Sequence, residues 1–155
     1  MKQVKTLKYK VVNQTKIFHD TLEIYHEVLT FLIDVIDKEF PSFEGITIKD
    51  MTTLVERLIH TTKHNPLPKY REFNSRFHKF PSYLRRSAIA CAYGKVKSYR
   101  ANLENWMKEK ELAAQSGKTF KKKTPILSFT HKEFPVLYKG NMYRKISDTE
   151  ALVKV

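Results

Sequence analysis

Between residues 82 and 112 apolar side chains recur every three or four positions: Leu84, Ala88, Ala92, Val96, Tyr99, Leu103 and Trp106. Only a helix brings residues at that spacing to one face. The middle of the chain is therefore committed to one long helix, opened by Pro81-Ser82. Ala88 and Ala92 leave room for another helix to come close. Gly94, inside the same stretch, costs a helix about 1 kcal/mol against alanine. Close packing or contact with a ligand backbone would account for it, and so would plain tolerance. A second stripe, Phe18, Leu22, Tyr25, Leu29, Leu32 and Ile36, predicts a helix over 16–38, with Asn13 or Thr15 as its cap. Asp20, Glu23, Glu27, Asp34 and Asp37 lie away from that stripe. A further helix is expected from near Asp50, taken as the cap. It carries Leu54, Val55, Leu58 and Ile59 and stops at Asn65-Pro66-Leu67-Pro68. A short one is expected to hold Tyr70, Phe73 and Phe77.

The period changes at both ends of the chain. Leu7, Tyr9 and Val11 alternate with Lys8 and Lys10, which reads as a half-buried strand with a basic outer face. After a basic loop over 113–124, strands are expected at 126–129, 136–139 and 142–145, and again from 152. Gly140-Asn141 fits a two-residue hairpin turn, with glycine supplying the positive φ. The first strand has no sequence neighbour and is expected to pair with the C-terminal strands. The expected fold class is α+β: a small antiparallel, barrel-like sheet with an inserted helical bundle, divided as 1–13, 14–116 and 117–155. The closing residues, Ala-Leu-Val-Lys-Val, carry no polar tail, and the sequence reads as interrupted.

A chain of 155 residues is one ordinary domain, and 41% hydrophobic with 12% aromatic residues is too much for disorder. The single cysteine, Cys91, excludes a disulfide framework and any multi-cysteine zinc module. It fits a reducing compartment, the cytoplasm. The first residues, MKQVKTLKYK, lack the apolar core of a secretory signal. The longest apolar stretch, around 28–36, is broken by Thr30 and Asp34, so no membrane span is expected. Net charge is +13 and unevenly placed: residues 63–145 carry twenty basic and five acidic side chains, residues 14–62 four and nine. Such asymmetry points to a polyanion partner, most often nucleic acid, against the plain alternative of a solvated surface.

Little in the sequence supports catalysis. His60 and His64 share a helical spacing, but Thr61 stands where the zinc-protease motif has glutamate. Cys91 sits among Ile89, Ala90 and Ala92 with no histidine beside it, as a buried structural thiol would. Gly94-Lys95 lacks the upstream glycine of a phosphate loop. No catalytic residue, metal ligand or cofactor is expected in this chain. Phosphate binding has better candidates. Arg85, Arg86, Lys95, Lys97 and Arg100 interleave with Tyr83, Tyr93 and Tyr99, and the loop adds Lys118, Lys121, Lys122 and Lys123. Arginine forks grip phosphates and tyrosine rings stack on unpaired bases. The alternative is that the tyrosines pack in the core and the cations lie along helix sides.

Three stretches carry a family resemblance: Phe80-Pro81-Ser82-Tyr83-Leu84-Arg85-Arg86-Ser87-Ala88-Ile89, then Gly94-Lys95-Val96-Lys97-Ser98-Tyr99 with Leu103-Glu104-Asn105-Trp106, and later Tyr138-Lys139-Gly140-Asn141-Met142-Tyr143. Together they resemble the N-terminal half of transposon-encoded TnpB proteins, RNA-guided DNA endonucleases related to type V CRISPR effectors. The resemblance implies that 1–13 and 117–155 supply wedge strands and that 14–116 is a helical recognition lobe. It implies guide RNA and target DNA as partners. The binding-half motif positions are Tyr83, Arg85, Arg86, Tyr99, Lys139, Gly140, Asn141, Tyr143 and Arg144, while Leu84, Ala88 and Trp106 are packing residues. The family's metal-dependent nuclease domain and zinc element lie further along, so its divalent metal belongs outside this chain and no catalytic residue carries over. The expected function is a nucleic-acid-binding fragment without its own chemistry; a rival is that full-length enzyme activity returns when a missing half is supplied. The alternative is a structural or regulatory helical assembly protein that binds DNA nonspecifically.

Overall fold

Helix α1 (Thr15–Lys38) packs along helix α4 (Ser82–Gln115), and this pair organises the computed structural model, which describes residues 15–127 and 133–154. Between them come a 3-10 turn (Phe40–Phe43), α2 (Ile48–Ile59) and the short α3 (Glu72–Arg76). A two-stranded antiparallel ribbon follows, β1 (Tyr143–Lys145) with β2 (Ala151–Val153). The α1 stripe is the expected one. Tyr25, Leu29, Leu32 and Ile36 are fully buried, each large aliphatic side chain contributing about 1.5–3 kcal/mol. On α4 the matching face is Leu84, Ala88, Ile89, Ala92 and Val96, all fully buried. The two alanines let the helices approach closely.

Burial on α4 stops at Val96. Beyond Arg100, which still hydrogen-bonds to Asp37 of α1, the helix overhangs the bundle by about 22 Å. The following loop braces it: the Trp106 indole N–H donates to the Lys122 carbonyl at 3.0 Å, and the Trp106 and Phe120 rings meet edge-on at 5.6 Å. The helix runs past the expected end at 112 because Gly117, at φ 64°, closes it. The Gly117 and Lys118 N–H groups donate to the Ala114 and Ala113 carbonyls at 3.1 and 2.9 Å.

Several boundaries differ from the sequence reading. Thr47, not Asp50, caps α2: its hydroxyl oxygen accepts from the Asp50 N–H at 3.2 Å. Side chains, not the prolines, end α2. Asn74 Nδ2 donates to the Ile59 carbonyl at 2.8 Å and Asn65 Nδ2 to the Arg57 carbonyl at 2.6 Å. Thr15 is the first residue of α1 rather than its cap, and Asn13 lies outside the described residues.

The expected barrel-like sheet is corrected to the β1–β2 ribbon, since the described residues hold no other sheet. The strand expected within 1–13 lies outside the described residues, as do 128 and 129. Residues 136–139, expected to pair with 142–145, are drawn onto the helices instead. The Val136 N–H donates to Ser87 Oγ at 2.9 Å, and Leu137 packs against the core. The Tyr138 carbonyl then accepts from the Asn141, Met142 and Tyr143 N–H groups, a wider turn than a two-residue hairpin. Gly140 does take the expected positive φ, 85°. Met142 is buried and pins the ribbon to the core, and the Lys154 N–H donates to its carbonyl at 2.8 Å.

Candidate nucleic-acid interface

Adjacent helical residues point about 100° apart, and the first turns of α4 use that angle to separate two arginines. Arg85 turns inward and is buried. Its Nε donates to both carboxylate oxygens of Glu56 at 3.0 Å, and its Nη2 lies 2.9 Å from Oε2. Where the sequence reading expects Arg85 to serve an external phosphate, the fold pairs its charge with Glu56. Arg86 stays exposed and makes no ion pair among the described residues. Its guanidinium lies 5.9 Å from the Tyr83 ring, which leans on Tyr138 at 5.7 Å.

Two more α4 cations serve the fold. Arg100 donates from Nε to Asp37 Oδ1 and from Nη2 to the Asp37 carbonyl, both at 2.8 Å, and lies over Phe40 at 4.8 Å. It ties the end of α1 to the overhang. Lys95 pairs with Glu133. Tyr93 packs between Phe40 and Phe43, and Tyr99 is half-buried beside Gly94 and Asn102. Lys122 pairs with Glu109 at 2.7 Å.

The remaining candidates stay exposed. Lys97, Lys118, Lys121, Lys123, Lys139 and Arg144 make no ion pair among the described residues. Gly140 and Asn141 form the exposed turn beside the start of α4, and Tyr143 is half-buried at its edge. The fold thus brings Tyr83, Arg86 and residues 138–144 together. It sets the lysine loop against the far half of α4, where Lys122 meets Trp106 and Glu109, about 35–45 Å away.

One pattern escaped the sequence reading. Arg86, Lys97 and Lys108 stand eleven residues apart, the last paired with Glu104 one turn back at 2.6 Å. That is close to three turns, so they drift only about 20° per step along one side of the helix. Between them Ala90, Gly94 and Ala101 are exposed, making a low floor between cations. A Cβ built on Gly94 meets nothing within 4 Å. Close packing among the described residues therefore does not explain this glycine. The internal acids Asp37, Glu56 and Glu133 left no sequence signal, because each meets its cation through long-range packing.

Burial pushes the Cys91 thiol above its ordinary value, as for an inert structural cysteine. His60 is spent on structure: its Nδ1–H donates to Asn74 Oδ1 at 3.0 Å, locking α2 to α3. Among the described residues no three histidine, cysteine, aspartate or glutamate side chains converge as a metal-ligand set. Nor is any helix among them long and apolar enough to cross a membrane.

The Aq_aa04 family model matches residues 5–155. The chain belongs to the Aq_aa04 family. Membership by itself specifies no chemistry. No curated protein and no solved structure matches the chain, and nothing in the family match connects it with TnpB proteins or type V effectors.

Proposed function

We propose that this chain is a nucleic-acid-binding unit that holds structured RNA, acting as the guide-RNA and target-duplex recognition half of a TnpB-like RNA-guided nuclease. One observation carries the binding part of the reading. After Arg85, Lys95, Arg100 and Lys122 are spent on internal carboxylates, cations without ion-pair partners among the described residues still mark both ends and the middle of α4. Neutralising phosphates along an elongated polyanion suits that spacing better than binding a compact ligand does. The low floor at Ala90, Gly94 and Ala101 supports close approach of a backbone. In this reading the protein senses backbone shape while guide base pairing reads sequence. Catalysis belongs to a domain outside this chain.

The test is binding of the purified chain to a hairpin RNA under excess polyglutamate, a polyanion without bases or phosphates. Retained RNA binding is expected; complete displacement by polyglutamate contradicts the reading. The TnpB part is tested separately by the DNA downstream of Val155. An aspartate-bearing strand, a later glutamate and a Cys-x-x-Cys pair are expected there, and an unrelated reading frame contradicts it.

A second reading, helical assembly with a protein partner, draws on Met107 and Leu112, which are 54% and 62% exposed on the α4 overhang. A chain that sediments as a monomer at micromolar concentration while binding RNA argues against self-assembly.

A further inference from the structure

We propose that the cleft between α2 and the start of α4 is a pocket for one unpaired nucleotide of a bound RNA, an inference that rests on the nucleic-acid reading above. The cleft encloses about 450 Å³ and is lined by Lys49, Thr52, Thr53, Glu56, Arg86 and Tyr138, among others. That volume is in the range of small-ligand sites.

Each wall has a distinct chemistry. The aromatic wall is Tyr138, 39% exposed, with Tyr83 behind it at 5.7 Å. Its backbone is fixed, because its carbonyl accepts three N–H groups and the neighbouring Leu137 packs in the core. A ring held in place and still open to solvent is a stacking platform, and every base offers a π-face to it. The hydroxyl wall is already oriented. Thr52 Oγ1 donates to the Ile48 carbonyl at 2.8 Å and Thr53 Oγ1 to the Lys49 carbonyl at 3.0 Å. Their hydrogens are used, so these oxygens are left as acceptors, suited to the N–H groups on base edges. Arg85 neutralises Glu56, so the one carboxylate in the cleft does not repel a phosphate. Arg86 and Lys49 supply cations for that phosphate. A plain phosphate would leave the aromatic and hydroxyl walls unused, and a paired duplex hides its base faces. An unpaired nucleotide uses all three.

The test compares binding of the full chain to a mixed-sequence single-stranded RNA and to an abasic strand of the same length and charge. The wild type is expected to prefer the base-bearing strand at least about fivefold. Tyr138→Leu should remove most of that preference and leave abasic binding within about twofold. Ile48→Trp, at an exposed position lining the same cleft, should do the same by filling it, and it guards against a folding defect in the first variant. Equal binding of both strands by the wild type, or a preference that survives in both variants, overturns the pocket while RNA binding stands. A wild type that binds neither strand removes the nucleic-acid reading and the pocket with it.

Discussion

Arg85 and Glu56 form a fork across the α2–α4 contact, with the arginine Nε 3.0 Å from both carboxylate oxygens and only 9% and 19% of the two side chains exposed. Removing one partner strands the other. Arg85→Gln should cost about 3 kcal/mol, toward the low end for a broken buried pair because Glu56 keeps some solvent contact. That lowers the thermal midpoint by roughly 10 °C for a chain of this size. Replacing both, Arg85→Met with Glu56→Leu, should recover most of the loss. Thermal unfolding of the three variants measures this; an Arg85→Gln midpoint equal to wild type contradicts it.

Arg86 should behave in the opposite way. It is exposed and unpaired among the described residues, so Arg86→Gln should change stability by under about 0.5 kcal/mol. RNA affinity should fall, and the salt dependence on single-stranded RNA should lose about 0.7 of slope, one phosphate contact. Binding curves at several salt concentrations read this directly.

Among the described residues, nothing stands within 4 Å of where a Gly94 Cβ would be. Gly94→Ala should therefore stabilise the chain by about 1 kcal/mol, seen as a higher denaturant midpoint. If RNA affinity drops in the same variant, the missing side chain serves the ligand's backbone.

The helices were legible because their apolar spacing is local. Leu84, Ala88, Ala92 and Val96 announce a buried face whatever lies opposite. The sheet was not. The 136–139 segment has the composition of a strand, but Ser87, some fifty positions earlier, captures its backbone, and no local pattern encodes that. The site divides the same way. Exposed cations such as Lys97 and Lys123 follow from charge alone, whereas Arg85 and Arg100 were misjudged because Glu56 and Asp37 reach them only through the fold. The sequence marks Arg85 and Arg86 as facing different ways; which one faces inward depends on α2.

Burial pushes the Tyr25 hydroxyl from its ordinary value of 10.0 up to about 12, against a smaller opposing effect of its contact with Ser87. An acid whose folded value is raised contributes stability that is fully present below pH 10 and is lost as pH rises toward 12. Tyr70 is raised to about 12 as well, chiefly by burial. Wild-type stability should therefore decline across pH 10–12, and Tyr25→Phe should flatten part of that decline. Denaturant unfolding at several alkaline pH values checks it; parallel curves for the two proteins contradict it.

The claim that α4 and its loops hold an RNA backbone is tested most directly by the salt dependence of RNA affinity. If about six phosphates are neutralised on single-stranded RNA, log Kd plotted against log salt should rise with a slope of roughly 4. A slope near zero from low to moderate salt contradicts the account.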